Sequence, residues 1–191
     1  KAIAIGLNTH ANANDAVAVG QNVSVLGANG VGVGQMVGVG SVGATAIGSM
    51  VSAVSDYATA IGSDTEVNTG AEGAVAIGRK VSIGGANTVA IGSDIIAAQK
   101  DNIILGGGSS DDNRSNIVSV GSSGVILGTA KVQRQIINVA KGTLDTDAVN
   151  VSQLKGVTAA LGGGAAVDSN GNVTKPAYTI GEDTYGTVAE A

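Results

Sequence analysis

Only a few side chains in this sequence are of types that could carry out chemistry. His10 is the single histidine of the chain and could act as a general base. Asp111, Asp112 and Asn113 follow one another and could offer oxygen atoms to a cation. The stretch Gly38–Gly43 reads GVGSVG and fits the pattern of a dinucleotide-binding loop. Whether any of these groups acts depends on the elements that would have to position it.

None of these candidates stands in the context that its chemistry needs. A dinucleotide-binding loop requires a helix directly after it, whereas GVGSVG lies inside a Gly-rich repeat with no helix pattern. We expect His10 on the surface, in a turn of the first repeat, and Asp111–Asn113 in a solvated loop where the repeats end. No nucleophile, base and orienting group recur at a workable spacing. The sequence therefore predicts no catalytic residue, no cofactor and no metal site, and it predicts that the protein is not an enzyme.

Composition argues against several other classes of function. The 191 residues carry a formal net charge of −5, and only 13% of them are charged and 2% aromatic. Without a basic patch or aromatic side chains on which bases could stack, no nucleic-acid partner is expected. The chain has no cysteine, which excludes disulfides and thiolate chemistry. Glycine and polar residues interrupt every apolar run before about 18 residues, so no membrane-spanning segment is expected. Because the sequence starts inside a repeat at Lys1, we expect a piece of a longer protein.

A 14-residue repeat dominates the first part of the chain. Each unit contains a string of small and aliphatic residues followed by glycine, such as AIAIG, AVAVG or ATAIG. The glycines recur at an interval of 14, except that one interval is 16 and indicates a two-residue insertion. These glycines are Gly6, Gly20, Gly34, Gly48, Gly62, Gly78, Gly92 and Gly106, and a degenerate ninth unit ends at Gly121. A repeat of this kind predicts a β-solenoid in which each unit forms one coil.

Each unit is expected to hold two short strands and two turns. The residues one and three before each glycine are mostly Ile, Val or Leu, and we expect them to face the interior of the coil. Two residues after the glycine form a polar corner, and a second strand follows with apolar pairs such as Val23 and Val25. The residues two before each glycine are mostly alanine, and we expect this outer face to be buried against another chain. The predicted interface residues are Ala4, Ala18, Ala46, Ala60, Ala76 and Ala90.

The pattern changes after Gly128. Thr146 can cap a helix that begins at Asp147, whose acidic side chain suits a helix N-terminus. The apolar face of this helix is predicted at Val151, Leu154, Thr158 and Leu161. A helix of about two heptads needs partners to be stable, so this segment also predicts an assembly. Farther along, Asn170-Gly171 between alternating apolar residues predicts a tight β-hairpin.

The repeats and the segment after them resemble a known family. The AVAIG-type 14-residue repeats are similar to the head of the trimeric autotransporter adhesins, the YadA-like proteins. The stretch RQIINVAKGTLDTDAVNVSQL, Arg134–Leu154, resembles the neck connector of that family, and Leu161–Val188 resembles its small β-rich insert domains. The resemblance implies an all-β fold: a left-handed parallel β-roll of 14-residue repeats, homotrimeric, followed by a neck with a short coiled-coil helix and a small β-rich domain. The implied limits are residues 1–130 for the β-roll head, 131–156 for the neck connector and short helix, and 157–191 for a partial insert domain.

The same resemblance implies a function. It indicates a fragment of a bacterial adhesin, exposed at the cell surface on the outer membrane of a Gram-negative bacterium. Its partners would be host cells or extracellular matrix proteins such as collagen, fibronectin or laminin, and it would reach the membrane only through a C-terminal anchor absent from this fragment. One alternative is a trimeric structural spacer or phage-fibre-like element without a receptor of its own. A more distant one is an enzyme of the hexapeptide-repeat type, although 14 is not a multiple of six.

Two charged residues of the predicted neck have alternative interpretations. Arg134 and Asp147 lie in an otherwise apolar connector. They are either the solvated ends of the connector or an ion pair between chains that fixes how the three necks cross. Together with Val151 and Leu154, they are the neck residues predicted to form the interface.

Overall fold

The computed structural model describes residues 1–125 and 130–190 as two units, Lys1–Arg134 and Gln135–Ala191. The first unit is a parallel β-solenoid, which confirms the predicted all-β fold of stacked coils. Its strands are β1 (Ile3–Leu7), β2 (His10–Ala11), β3 (Val17–Val25), β4 (Val31–Val39), β5 (Thr45–Ala53), β6 (Thr59–Val67), β7 (Val75–Ile83), β8 (Val89–Ala97), β9 (Ile103–Leu105) and β10 (Val118–Ser119).

The strands of the roll stack in chain order. Their order is β1-β3-β4-β5-β6-β7-β8-β9-β10, with β2 also paired to β3, and every pairing in this sheet is parallel. Equivalent repeat positions lie side by side, so that Val17 pairs with Val31 and Gly20 with Gly34. The repeat in the sequence is therefore a repeat in space, and each sequence position forms a row along the roll.

The glycine of each repeat makes a sharp corner in the strand. Gly34 has φ +136°, and Met36, two residues later, has φ +54°. A Cβ atom added to Gly34 would lie 1.8 Å from the carbonyl oxygen of Gly48 in the next coil. Only glycine allows neighbouring backbones to approach so closely at this φ, which explains why the residue recurs in every coil. The two short strands predicted for each unit are thus the two halves of one bent, nine-residue strand.

The predicted orientation of the first half-strand is wrong. Alanines two residues before the corner glycine are fully buried inside a single protomer, where they face the second half-strand. This set comprises Ala18, Ala46, Ala60, Ala76 and Ala90, each 0% exposed. They cannot reach another chain, so they do not form the predicted interface. Ala4, the sixth predicted residue, is exposed in the first coil.

The narrow interior of the roll explains this error. The second half-strand already fills the interior with branched side chains such as Val23 and Val25, both buried as the sequence predicts. At Gly32, an added Cβ would lie only 2.8 Å from a methyl group of Val25 and 3.0 Å from one of Val23. A close-packed core has no room for large side chains from both half-strands, so the first half-strand contributes alanine. Its Ile, Val and Leu side chains point outwards instead.

The predicted two-residue insertion lies in a turn. Strands β6 and β7 pair at a sequence offset of 16 in both halves, at Thr59 with Val75 and at Glu66 with Ser82. The neighbouring pair, β5 and β6, keeps an offset of 14, as in Thr45 with Thr59. The two additional residues therefore lie between β6 and β7, and the insertion leaves the rows of the sheet in register.

The second unit contains one helix and two hairpins within its described residues. Helix α1 spans Val151–Leu161, and the hairpins consist of β11 (Ala166–Val167) with β12 (Val173–Thr174) and β13 (Tyr178–Ile180) with β14 (Asp183–Tyr185). The first hairpin confirms the prediction made from Asn170-Gly171. The predicted domain limit between residues 156 and 157 falls inside α1. No helix in the described ranges has the length and hydropathy to cross a membrane.

Helix α1 begins later than predicted. Its N-cap is Asn150, whose side chain accepts a hydrogen bond from Gln153 N at 3.2 Å. The Gln153 side chain in turn accepts one from Asn150 N, which completes a capping box. This reciprocal pair satisfies two backbone donors at the start of α1, where a helix leaves its first N–H groups without partners in the helix. The sequence Asn-x-x-Gln before an apolar run was the signal for this boundary.

Candidate interaction surfaces of the roll and the neck

The residues one and three before each corner glycine form a continuous outer stripe on β1 and β3–β9, which we call the outer apolar stripe because all but Thr45 and Thr59 are Ile, Val or Leu. Parallel pairing stacks them in two rows, with adjacent strands about 5 Å apart. Along the roll they are partly or largely exposed in the single protomer; Ile91 is 42% exposed. The stripe comprises Ile3, Ile5, Val17, Val19, Val31, Val33, Thr45, Ile47, Thr59, Ile61, Val75, Ile77, Val89, Ile91, Ile103 and Leu105. An exposed apolar surface of this extent is typical of a protein interface.

The polar corner, defined as the two residues after each corner glycine, is a second surface of the roll. Side chains in adjacent coils hydrogen-bond to each other along it. Asn8 Nδ2 donates to Asn22 Oδ1 at 3.2 Å, and Gln35 Nε2 donates to Gln21 Oε1 at 3.0 Å. At Asn8, Gln21, Asn22 and Gln35 the corner is polar as predicted, and these bonds between coils hold the amide side chains in regular rows.

Farther along the same corner, the chemistry changes from amides to charges. Arg79 Nη2 lies 2.6 Å from Asp94 Oδ2 in the next coil. Both side chains are more than half exposed, so this ion pair adds little to stability. Lys80 and Asp64 are also exposed in this part of the corner. The corner therefore presents amides, then two methionines, then charges along the roll.

The Arg134 side chain forms hydrogen bonds with several residues of the last coils of the roll. Its Nη1 donates to Ser109 Oγ at 2.9 Å and to the carbonyl oxygen of Val120 at 2.6 Å, and its Nη2 donates to the carbonyl of Gly107. The guanidinium lies against Gly106, where an added Cβ would be 3.1 Å from Cζ. Arginine can satisfy several acceptors at once because its donors form a planar fork. The sequence identified Arg134 as a neck residue but not this role.

The predicted solvated loop at Asp111–Asn113 is not solvated throughout. Asp111 is 0% exposed, and its carboxylate accepts hydrogen bonds from Gln99 N at 2.6 Å and Asn113 N at 3.0 Å. The Ser110 hydroxyl donates to Asp112, and this bond lowers the pKa of that carboxyl. These carboxylates thus satisfy donors of the final coils, where the repeat ends. Within the described ranges, no three His, Cys, Asp or Glu residues are grouped as a metal site requires.

The other two chemical candidates also belong to the solenoid. His10 lies exposed in the short strand β2, beside Ser24, rather than in a turn. Gly38–Gly43 includes the end of β4 and the turn after it, and the next element is strand β5. Since a strand follows the glycines where a dinucleotide site needs a helix, this segment is a roll unit.

The second unit exposes apolar side chains on its helix and on the connector before it. Val151 is 56% and Leu154 36% exposed, although both belong to the predicted apolar face of α1. Ile136, Ile137 and Val149 are also exposed, and they line an open groove of about 410 Å³ together with Val151. Within α1, all of which the structure describes, only Thr158 is buried. A helix of this length gains most of its stability from packing of its apolar face, and this face is exposed in the single protomer.

Asp147 stabilises the turn before the helix instead of starting the helix. Its Oδ2 accepts hydrogen bonds from Thr143 N at 2.9 Å and Leu144 N at 3.0 Å. These two bonds to the charged form lower the pKa of the carboxyl, with Thr143 having the larger effect. Asp147 and Arg134 therefore both have partners within their own chain, and an ion pair between chains stays a prediction.

Comparison with known proteins finds similarity to trimeric autotransporter adhesins. Residues 135–177 match the family model described as the coiled stalk of trimeric autotransporter adhesin. Over 84 residues, 38% of the chain, the sequence is 36% identical to the trimeric autotransporter adhesin AtaA of Acinetobacter sp. (strain Tol 5). Over 63 residues, 29% of the chain, it is 46% identical to the autotransporter adhesin EhaG of Escherichia coli O157:H7. These matches cover only 2% and 4% of the two relatives.

A solved structure matches a larger share of the chain. It is the collagen-binding domain of the Yersinia adhesin YadA, with a TM-score of 0.63 and 28% sequence identity. The match covers 81% of this chain and 86% of that domain. The shared fold thus includes most of a domain whose described property is binding to collagen.

Proposed function

We propose that the chain is a YadA-like part of a trimeric autotransporter adhesin, and that it attaches a bacterial cell to an extracellular matrix protein or another host receptor. The observation that carries this proposal is the structural match that spans 86% of a collagen-binding domain. The proposal places the chain at the cell surface of a Gram-negative bacterium, where an outer-membrane anchor of the full-length protein holds it. It assigns the chain a binding role and no catalytic one.

We propose that three copies of the roll pack together through the outer apolar stripe. The stripe takes the place of the alanine row as the interface, because the alanines are already buried inside each protomer. Ile47, Ile91 and Leu105 remain 36%, 42% and 38% exposed, so burying the remaining area of each should be worth about 0.6–1.2 kcal/mol. Repeated over eight coils and three chains, this gain is large enough to couple the stability of the roll to assembly.

The neck is proposed to add a second contact between the copies. The exposed Val151 and Leu154 of α1 would pack against the same residues of the other two helices. The proposed interchain pair of Arg134 with Asp147 can be tested by a double-mutant cycle with Arg134→Ala and Asp147→Asn. A pair between chains predicts that the two losses in trimer melting temperature are not additive, whereas purely local roles predict that they add.

The polar corner is the proposed ligand-binding surface. It is exposed, its side chains are held by bonds between coils, and it repeats at regular intervals along a rigid roll. A fibrous matrix protein also repeats, so several corners can contact it together. Three copies in a trimer then convert individually weak contacts into a stable attachment through effective concentration.

Binding to purified matrix proteins tests the proposal directly. Light scattering would first measure the molar mass of the protein in solution, and a trimer should give three times the single-chain mass of 18.3 kDa. The trimer would then be passed over immobilised collagen, fibronectin and laminin, with albumin as the control surface. We expect saturable binding to at least one matrix protein. A folded trimer that binds none of them, nor host cells, would instead be a structural spacer.

A further inference from the structure

We propose that Asn102, Ser109 and Asp111 form a polar end cap that stops the roll after its eighth coil, the coil with corner glycine Gly106. The three buried side chains bind backbone groups at the end of the roll, and these bonds replace the strand pairing that a further coil would make. The end cap acts within one chain and needs no ligand. It therefore goes beyond the proposed function and does not depend on it.

The interior of the roll changes from apolar to polar in the eighth coil. Each coil has four interior positions, which lie four and two residues before the corner glycine and three and five residues after it. From the second coil to the seventh, all of which the structure describes, these positions hold Ala, Gly, Val or Ile, with Thr65 and Thr88 as the exceptions. In the eighth coil, the four buried residues are Asn102, Ile104, Ser109 and Asp111.

Asn102 uses both ends of its amide to bind the closing segment, which we define as residues 112–117. Its Nδ2 donates to the carbonyl oxygen of Arg114 at 2.8 Å and to that of Gln99 at 3.2 Å. Its Oδ1 accepts a hydrogen bond from Ile117 N at 3.1 Å. An alanine at this position, such as Ala74 two coils earlier, can make none of these side-chain bonds. Asn102 therefore holds the closing segment against the end of the roll.

Ser109 connects the end cap to the last residue of the first unit. Its Oγ donates to the carbonyl oxygen of Leu105 at 2.7 Å and accepts a hydrogen bond from Arg134 Nη1 at 2.9 Å. The equivalent residue of the seventh coil is Ile95, which is also fully buried but apolar. The change from isoleucine to serine thus supplies a partner for Arg134 inside the last coil.

Asp111 binds backbone donors on both sides of the eighth coil. Its carboxylate accepts from Gln99 N, which precedes the coil, and from Asn113 N in the closing segment. Ala97 occupies the equivalent position of the seventh coil and is buried in the apolar core. The carboxylate is 0% exposed, so these hydrogen bonds replace those that water would make.

The closing segment departs from the geometry of a regular coil. Strands β8 and β9 pair at a sequence offset of 14, at Val89 with Ile103, whereas β9 and β10 pair at an offset of 15, at Ile103 with Val118. The additional residue lies after Ser110, which still pairs with Ile96 at an offset of 14. Strand β10 has two residues, whereas β8 has nine. Backbone groups that lose strand partners need others, and the end cap provides them.

The same three side chains oppose the stacking of a further regular coil. Such a coil would pair its backbone groups with the eighth strand, and the closing segment would leave its position. Asn102, Ser109 and Asp111 would then be buried beside apolar side chains without their present partners, which is unfavourable for polar groups. An apolar interior in the eighth coil would have the opposite effect, because an open apolar sheet end favours the addition of strands. The end cap therefore favours ending the roll over continuing it.

Hydrogen exchange measured by mass spectrometry tests the end cap locally, because it reports on each part of the folded chain separately. Asn102→Ala removes three hydrogen bonds to backbone groups. We expect exchange of the amides in residues 112–119 to become about tenfold faster, while residues 31–83 keep their rates. The control is Asn87→Ala, which removes the same side chain one coil earlier but loses only an exposed bond to Asp101. It should change neither region.

A triple variant tests whether the end cap stops the roll. Asn102→Ala, Ser109→Ile and Asp111→Ala together give the eighth coil an apolar interior like that of the earlier coils. We expect light scattering to show a larger mass than for the unaltered protein, because the apolar ends associate. An unchanged mass for the triple variant, or unchanged exchange for Asn102→Ala, would show that other residues end the roll. Exchange that rises equally in all coils of Asn102→Ala would also refute the proposal, because Asn102 would then be an ordinary core residue. If the triple variant does not fold, Asn102→Ala decides alone.

Discussion

Replacing the corner glycine of one coil should destabilise the whole roll. Gly34→Ala places a Cβ atom 1.8 Å from the carbonyl oxygen of Gly48, at a backbone φ of +136° that residues with a side chain rarely adopt. Strand β4 offers a matched control in Gly38, where an added Cβ meets only the Ser52 hydroxyl at 3.9 Å. Both substitutions add one methyl group to the same strand, so they differ mainly in the space and φ at each site.

The size of the effect follows from this geometry. Carbon and oxygen atoms in ordinary contact lie about 3.3 Å apart, so the two coils would have to separate by about 1.5 Å at the corner. The strained backbone costs about 1–3 kcal/mol, and the separation would break neighbouring backbone hydrogen bonds worth about 1 kcal/mol each. We therefore expect Gly34→Ala to cost about 3–5 kcal/mol per chain. Gly38→Ala should change the free energy of unfolding by less than about 1 kcal/mol.

Urea unfolding at a fixed protein concentration can measure this difference. The concentration must be held constant because the stability of an oligomer depends on it. Circular dichroism would follow the loss of β structure, and light scattering would confirm that both variants start as the same oligomer. Equal unfolding midpoints for Gly34→Ala and Gly38→Ala would refute the argument that close backbone stacking fixes the corner glycine.

Three further predictions concern the interface, the helix and the end of the roll. In β8, Ile91→Asn should reduce the mass in light scattering from that of three chains towards the 18.3 kDa of one, whereas Ile96→Asn, exposed on the other half-strand, should leave the trimer intact. Asn150→Ala should lower the free energy of unfolding of the second unit by about 1 kcal/mol in thermal melts, and Thr146→Ala should not, because only Asn150 caps α1. The pKa of Asp112 is lowered in the folded protein, so its stabilising effect should be present above the ordinary value of 3.8 and be lost as pH falls below it. Asp112→Asn should therefore show a smaller loss of stability between pH 6 and pH 3 in urea titrations, roughly the range in which acidic groups titrate; an unchanged loss would contradict this role.

The periodic part of the fold was accessible from the sequence because one residue type carries the constraint. A backbone contact as close as that between Gly34 and Gly48 permits only glycine, so glycine recurs at this position in each coil and is visible in the sequence. The buried pairs such as Val23 with Val25 were accessible for a similar reason, since they alternate with polar residues on a single strand. Where the backbone geometry of a position permits only one residue type, that position can be predicted from the sequence.

Other features depend on atoms that leave no pattern in the sequence. Arg134 binds the carbonyl oxygens of Gly107 and Val120, and any residue could supply such oxygens. The start of α1 was predicted at Asp147 because an acidic residue near a threonine suits a helix N-terminus. In the structure, the reciprocal bonds between Asn150 and Gln153 cap the helix, and α1 begins directly after Asn150.

The reversed orientation of the first half-strand has a consequence for assembly. This half-strand is apolar on both sides, with alanine towards the core and Ile, Val or Leu on the outside, as in Ala90 beside Ile91. Strands with two apolar faces are normally covered on both. The small inner side chains of the first half-strand let it pack closely against the second half-strand, and the large apolar side chains of the first half-strand stay outside. In the first half-strand, a single roll therefore buries only the smaller residues, and burial of the larger ones requires other copies. If so, folding and assembly are coupled, and substitutions such as Ile91→Asn should reduce the stability of the roll as well as its mass.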